Sequence, residues 1–413
     1  MDLDYQFFPG RVKITNIIIS NGTDKADITE LMKEIDINTS INSSSATVEI
    51  LISDAINFIH SFKPNAGDNI SIEFGYKDLS KIFNFKVLKI TSMADFTRQR
   101  SYIIRCVSNF FYKAMHRDVV GSLSGTTSEI AKGLFLENSD VEKINIWEDS
   151  KGVQKLVIPS WGLGYTMEWL ARRSEAKNFP SRMYFFQDSN MKYNFMPIEK
   201  SLSLFKDKPA FKYTYNKIAA SKGKNQTPNS ADSYTAIKDL SYSDELFNIQ
   251  HAYDSGKLAG IRYSPDIVNK TYQPVGYNYF ESFSPENYLN SRPQFNAFDY
   301  GDGISVYDVN HSGMHEKITK FNKPSSTSNI RFNSLDDSQI IDILVVGNEA
   351  VDIGQIIELE VSSPEPASDN RTDKLDKRFS GKYYVVAKRD VYTEDTHTMS
   401  LGLTKESQIG DVT

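Results

Sequence analysis

The stretch NAGDNISIEFGYKDL, residues 65–79, contains the pattern that decides the fold. Gly67 lies in a turn-like sequence, and the residues after it alternate between apolar and polar side chains. The apolar members are Ile70, Ile72 and Phe74, and the polar members between them are Ser71 and Glu73. An alternation with a period of two is typical of a strand that buries one face.

A second stretch, AVDIGQIIELEV at residues 350–361, repeats this pattern after Gly354. Its apolar members are Ile357, Leu359 and Val361, and its polar members are Glu358 and Glu360. Measured from the glycine, the apolar residues fall at the same offsets in both stretches. We therefore expect Gly67 and Gly354 to occupy equivalent turns, with the six apolar side chains inside two cores and the polar ones outside.

The strand patterns around the two glycines also recur in the same order. The first series covers residues 46–52, 69–76, 82–93 and 101–108, and the second covers 339–346, 355–361, 382–392 and 397–404. The main difference is the polar loop at 362–380, a place where insertions are well tolerated. Four elements in the same order predict two related antiparallel β-barrels in one mainly β chain.

The composition limits the classes of protein to which the chain can belong. The chain has 413 residues, 39% of them hydrophobic and 24% charged, which is typical of a globular protein with about two to four domains. The net charge is −6 without any basic block, and this argues against a protein that grips nucleic acid by its phosphates. The one cysteine, Cys106, excludes an intramolecular disulfide and favours a small core residue in a reducing cytoplasm.

The region between the two barrel patterns combines helices and strands. Thr126 and Glu129 have the spacing of a capping box ahead of one helix, and WGLGYTMEWLARRSEA, residues 161–176, predicts a second helix. The strands RMYFFQD and KYNFMPI follow. These patterns predict a small α+β domain over residues 116–210. Further on, LFNIQHAYDSGKLAGIRYS has strand character, and no signal peptide or membrane-spanning segment is expected anywhere.

The candidate metal ligands are weak. His311 and His315 have a metal-compatible spacing in HSGMH, but the glutamate of the zinc-protease motif is missing, and surface loop histidines are the favoured interpretation. The carboxylates of DYGDGISVYD do not match a calcium loop, and a glycine-rich turn is favoured; they are Asp299, Asp302 and Asp308. We expect no metal site.

The motifs of catalysis and cofactor binding are also missing. GLGYTM begins like a dinucleotide fingerprint but has Met167 where the third glycine belongs, and no Walker-type loop or Gly-x-Ser-x-Gly elbow occurs. Three tryptophans either stack on sugars or pack in cores, and packing is favoured; they are Trp147, Trp161 and Trp169. We expect no catalytic residue and no cofactor.

The chain resembles the central baseplate hub proteins of T-even-like contractile phage tails. The resemblance covers most of the chain and is clearest in VVGNEAVDIGQIIELEV, in SGKYYVVAKRDVYTEDTHTMSLGLTK, and in the 161–176 helix with the hairpin behind it. It implies a homotrimer in which each subunit contributes two tube-type barrels, so that six similar modules surround one channel. Such a trimer joins a six-fold tail tube to a three-fold spike.

The resemblance also implies a discontinuous second barrel. The expected domains are a first barrel (1–115), an α+β domain (116–210), a second barrel (211–260 and 330–405), an inserted domain (261–329) and a C-terminal tail (406–413). The implied partners are the chain itself, the tail spike protein, the tail tube or tube-initiator protein, and surrounding baseplate proteins. DNA is expected to pass through the channel without specific binding, since an acidic wall repels it.

The implied location is the tail baseplate of the virion, after assembly in the host cytoplasm. Two alternatives remain open at this point. One is a hub or spike component of a bacterial contractile injection system, and the other is a tail-associated cell-wall hydrolase. Glu358 and Glu360 face either the channel or bulk water, and the alternation does not decide between them.

Overall fold

The computed structural model describes most of the chain. The described residues are 10, 12–76, 79–139, 144–179, 181–215, 234–243, 248–254, 256–266, 269–296, 303–307, 341–363, 375–394 and 396–410. The protein is mainly β, with large antiparallel sheets and few helices, which confirms the predicted fold class. Among the helices within these ranges, none has the length and apolarity needed to cross a bilayer.

The strands alternate with a few short helices along the chain. The N-terminal strands are β1 (Lys13–Ser20), β2 (Lys25–Asp27), β3 (Met32–Ser40), β4 (Thr47–Asp54), β5 (Asn69–Tyr76), β6 (Leu79–Asp95) and β7 (Arg100–Ser108). The middle strands are β8 (Asp118–Gly125), β9 (Ile144–Ile146), β10 (Gln154–Gly162), β11 (Met183–Gln187) and β12 (Tyr193–Pro197).

The second half of the chain contributes the remaining strands. They are β13 (Lys212–Tyr215), β14 (Asp239–Tyr242), β15 (Ala259–Asp266), β16 (Thr271–Asn278), β17 (Arg292–Pro293), β18 (Ile304–Tyr307), β19 (Ile341–Val346), β20 (Ile356–Val361), β21 (Gly381–Tyr392), β22 (His397–Thr404) and β23 (Ser407–Gln408). The helices are α1 (Phe58–Ser61), α2 (Asn109–Ala114), α3 (Thr127–Asn138), α4 (Leu163–Arg173), α5 (Ile198–Phe205), α6 (Ile249–Asp254) and α7 (Tyr279–Ser282).

One 13-stranded sheet runs through both halves of the chain. Its main path is β14-β19-β22-β21-β3-β4-β7-β6-β5-β1-β2, and β20 and β13 extend it beside β21. The N-terminal strands curl around one apolar core, to which β4 contributes Val48, Ile50 and Ile52, all fully buried. The C-terminal strands curl around a second core, to which β22 contributes Met399, Leu401 and Leu403. Alternation therefore places every second side chain in a core.

The α+β region forms a third core around Phe135, Met167 and Phe195. The capping box predicted for α3 is present: the Thr126 side chain accepts from the backbone N–H of Glu129, whose side chain accepts from the backbone N–H of Thr126. The second helix is shorter than the predicted 161–176. It begins at Leu163, because β10 continues to Gly162 in a ladder with β8, and it ends before Ser174, whose backbone is extended.

The strand character predicted for LFNIQHAYDSGKLAGIRYS is wrong in its first half. Residues Ile249–Asp254 form α6, and β15 begins only at Ala259. The local reason is a side-chain cap, because the Asn248 amide oxygen accepts from the backbone N–H of His251. Apolar alternation carries no information about such a contact, so the pattern alone predicts a strand.

The inserted strands and the last segment of the chain are tied to the second core. β15 lies between β16 and β18, and β17 pairs with β23. The Tyr279 hydroxyl donates to the backbone oxygen of Glu406, and the Asn290 amide donates to the backbone oxygens of Lys382 and Ser407. The residues after β22 therefore fasten the insertion to β21.

Candidate assembly interface

The two glycine turns make the same hydrogen bonds. Both glycines have a positive φ, +93° at Gly67 and +76° at Gly354, a conformation that favours glycine. The Gly67 N–H donates to the Val87 oxygen at 2.8 Å, and the Gly354 N–H donates to the Val385 oxygen at 2.8 Å. Each valine returns a hydrogen bond from its own N–H to the residue after the glycine. The two turns thus dock in the same way on β6 and on β21.

The strands that follow the turns bury the marker side chains. The exposed fraction is 0% for Ile70, Ile72, Phe74, Ile357 and Leu359, and 2% for Val361. The polar neighbours are partly exposed; they are Ser71, Glu73, Glu358 and Glu360. Glu358 and Glu360 both lie near the Lys212 ammonium on the outer face, at 4.0 and 2.6 Å.

The order of strands is also the same around the two cores. The first core has the order β3-β4-β7-β6-β5-β1, and the second has the order β14-β19-β22-β21-β20-β13. An extra residue lies just after Val87 in the ladder of β6 with β7, and just after Val385 in the ladder of β21 with β22. The direction of one strand differs between the two cores: β1 runs antiparallel to β5, whereas β13 runs parallel to β20.

The two halves join where β3 pairs with β21. One edge of β21 carries β20 along residues 381–384 and β3 along residues 387–392, while the opposite edge carries β22. In the spatial order around the first core, β3 is the end strand next to β4. The junction is therefore a contact between the end strand of one half and the second part of the long strand of the other half.

Charged groups are buried under this junction. The Lys388 ammonium lies 3.1 Å from the Asp390 carboxylate, and Nε2 of His397 lies 2.8 Å from the same carboxylate. All three side chains are nearly inaccessible. Burial alone would raise the pKa of Asp390, but Lys388 and His397 outweigh it and lower that pKa. Removing either Lys388 or Asp390 would leave the other buried charge without its ion-pair partner.

The corresponding positions on β6 and β14 have no described strand beside them. β6 carries β5 only along residues 79–86, and within the described part of the chain nothing pairs with that edge along residues 89–95. β14 pairs with β19 on one edge, and no described strand covers its other edge. These open edges are the counterparts of the β21 and β3 edges that meet inside the chain.

Exposed apolar side chains lie beside both open edges. Met93, near the end of β6, and Phe96, just after it, are 52% and 60% exposed. Tyr242 in β14 and Leu344 in the adjacent β19 are each 37% exposed. An unpaired strand edge with apolar neighbours is a ready template for another strand. This pair of edges is the candidate assembly interface.

The other residues singled out from the sequence do not form a chemical site. Cys106 is buried, and burial raises the pKa of its thiol. Trp161 and Trp169 pack against the α+β core, and Trp147 is 41% exposed. His311, His315 and the three aspartates of DYGDGISVYD, which are Asp299, Asp302 and Asp308, lie outside the described residues. Within the described ranges, no group of three ligating side chains is arranged to hold a metal ion.

Comparisons with known proteins identify the fold. No protein-family model matches the sequence, and no curated protein matches it. A tail protein from Neisseria meningitidis MC58 has a TM-score of 0.54 at 8% identity, over 95% of this chain and 96% of that chain. The 43 kDa tail protein of prophage MuSo2 from Shewanella oneidensis has a TM-score of 0.55 at 10% identity, over 95% and 98%. The chain has the fold of phage tail proteins.

A third similar structure belongs to a different machine. The E. coli c3393 protein, a component of the type VI secretion system, matches 96% of this chain and 77% of its own, at 7% identity. Its TM-score is 0.40. The two tail-protein matches, both of which span nearly the whole of each chain, establish the tail-protein fold.

A polar junction holds the α+β hairpin between the two cores. The turn between β11 and β12 donates to Asp352 from the Ser189 backbone N–H and from the Asn190 amide. The Asn190 amide oxygen accepts from Lys81 of β6 at 3.2 Å. Burial, and secondarily the nearby Asp352 carboxylate, raises the pKa of Asp188 to about 6. Two acidic groups therefore lie together where three parts of the chain meet.

This junction predicts a pH dependence of stability. Because the folded-state pKa of Asp188 is raised, its contribution to stability is complete below about pH 4 and is lost as the pH rises through about 6. The full effect is at most about 3 kcal/mol. We expect Asp352→Asn to reduce this slope in part, because it removes the neighbouring charge while Asp188 stays buried. Denaturant unfolding between pH 4 and pH 7.5 measures the slope, and an unchanged slope in the variant would contradict the assignment.

Proposed function

We propose that the protein is a structural hub of a contractile phage tail baseplate and acts as a homotrimer. Each subunit contributes two copies of one tube-type barrel, with the domain division expected from the sequence. The observation that carries the proposal is the repeated strand order, together with the two matched open edges on β6 and β14. The proposal contains no catalytic step and no cofactor.

The open edges define how copies pair. Inside the chain, β3 residues 35–40 lie opposite β21 residues 392–387. Transferred to the open edges, this rule places Leu240 of one copy opposite Asp95 of the next copy. Tyr242 then lies opposite the Ser92–Met93 step. A main-chain ladder across each contact satisfies polar groups that the single chain leaves to solvent.

Three copies close this arrangement into a ring. Each copy supplies one internal junction of β3 with β21, and each contact between copies supplies one junction of β14 with β6. Six similar modules then alternate around one axis, and closure removes every open edge of this type. The ring has approximate six-fold symmetry for a tail tube and true three-fold symmetry for a spike.

The proposed partners follow from this position. They are a tail spike protein, a tail tube or tube-initiator protein, and surrounding baseplate proteins. DNA passes through the ring without specific binding, and the net charge of −6 suits this, because like charge keeps DNA from the wall. The protein acts in the virion baseplate after assembly in the host cytoplasm.

We expect three copies of the chain to associate, so that the measured mass is three times that of one chain, when the protein is bound to its baseplate partners. Light scattering on the purified protein, and on its complex with the spike protein of the same tail, measures this mass. Electron microscopy along the symmetry axis should then show six similar modules around a channel. A monomer in both settings would remove the support for the hub.

A further inference from the structure

The junction of β3 with β21 inside the chain and the proposed junction of β14 with β6 between copies differ in one respect. In the ladder of β21 with β22, residues 387–392 pair without interruption, and this is the segment that carries β3. In the ladder of β6 with β7, a second extra residue interrupts the pairing between Thr91 and Ala94. Ser92, inside this interruption, has a φ of +56°, which is uncommon for a residue other than glycine. The open edge of β6 is therefore bulged where the occupied edge of β21 is regular.

The bulge lies at the centre of the edge that a second copy would use. A bulge leaves one residue out of the ladder and bends its strand, so a partner strand cannot bond continuously along it. Natural sheets protect exposed edges with bulges of this kind and with charged side chains, lysine above all. Lys89 lies in the same open segment and is exposed.

The opposite edge carries a different obstacle. β14 is only four residues long. The Asp239 carboxylate accepts a hydrogen bond of 3.0 Å from the backbone N–H of Leu240. Leu240 corresponds to Ile35, which lies opposite Tyr392 in the junction inside the chain. The Asp239 carboxylate thus engages the backbone of a residue that would lie opposite the partner strand of a second copy.

We propose that the Ser92 bulge and the Asp239 carboxylate guard the two open edges, so that copies do not pair until another component holds them together. This inference rests on the proposed trimeric ring and describes its regulation. Joining the edges requires β6 to straighten and Asp239 to release Leu240. A template that holds three copies side by side raises their effective concentration enough to overcome this cost. Guarded edges also keep free subunits from forming open chains.

The test measures assembly of the full chain without any partner. The first variant deletes Ser92, which gives β6 the uninterrupted register of β21. The second variant is Asp239→Ala, which leaves β6 unchanged and serves if the deletion disturbs folding. The control is Ser92→Gly, because glycine favours a positive φ and retains the bulge. Analytical ultracentrifugation gives the concentration at which half of each protein is trimeric.

We expect the wild type and the glycine control to remain monomeric at low micromolar concentration. The deletion should lower the half-assembly concentration at least tenfold, and Asp239→Ala should lower it by about threefold. Equal values for all four proteins, or a wild type that trimerises alone at these concentrations, would overturn the guard. Neither result would contradict the proposed ring.

A fused template separates failure of the guard from failure of the proposed function. A trimeric coiled coil attached after Thr413 holds three wild-type copies together. Electron microscopy should then show closed rings, and hydrogen exchange should become slower at residues 90–95. If the fused wild type and the fused Ser92 deletion both lack rings and protection, the trimeric ring and its guard fail together.

Discussion

Replacing Leu359 with aspartate is expected to unfold the second core. Leu359 is fully buried in the strand after Gly354, among the apolar side chains of β20 to β22. An unpaired carboxylate there has neither water nor a cation, so the expected loss of stability is about 4 kcal/mol. The same change at Ile72 should disrupt the first core, because that side chain is equally buried. Urea unfolding followed by circular dichroism measures both losses.

The neighbouring residues supply matched controls. Glu358→Asp and Ser71→Asp place an aspartate one residue away, on the partly exposed face of the same strands. Their effect should stay within about 0.5 kcal/mol. A loss of several kcal/mol in the controls, or a tolerated aspartate at Leu359, would mean that the two strands do not present these faces. The equivalence of the two barrels would then lose its basis.

Met93→Asp is expected to abolish ring formation while leaving the single subunit stable. Met93 is 52% exposed in the free chain, so the aspartate remains solvated there. In the proposed ring it lies against β14 and Tyr242 of the next copy, where contact between the strands removes water from the carboxylate. A penalty of about 3 kcal/mol at each of the three contacts would remove the trimer from any accessible concentration. Sedimentation of the coiled-coil fusion and electron microscopy of its rings detect the loss.

A control at a distant exposed valine distinguishes this effect from a general one. Val157 in β10 is 74% exposed and lies outside both open edges. Val157→Asp should leave both the thermal midpoint and ring formation unchanged. Rings that persist in Met93→Asp would show that copies meet through other surfaces. Rings lost in both variants would show that added negative charge, rather than the β6 edge, is responsible.

Local patterns in the sequence were enough for much of the fold. The alternation in residues 69–76 and 355–361 predicted strands that the structure contains as β5 and β20. The spacing of Thr126 and Glu129 predicted a helix start at which both hydrogen bonds of the capping box are present. Alternation and capping depend on residues close together in the chain, which is why they are readable without a structure.

The position of the charges in β21 was not readable in this way. Lys388 and Asp390 carry charged side chains, yet both are buried. They are tolerated there because His397 of β22 and the Ser189 hydroxyl of the α+β hairpin complete their contacts. No property of residues 381–392 alone indicates that these partners exist. A local pattern reports polarity, whereas only the fold reports whether a polar group is paired.

The sequence by itself determined the mainly β class, the repeated strand order around Gly67 and Gly354, and the faces that alternate between apolar and polar. Only the tertiary structure decided that β3 continues the sheet onto β21, that β14 ends the sheet, and that β6 has an edge along residues 89–95 that no described strand covers. The reason is the range of the interactions. Alternation is set by the period of the backbone, but an edge is open or closed according to strands hundreds of residues away, whose register no local pattern records.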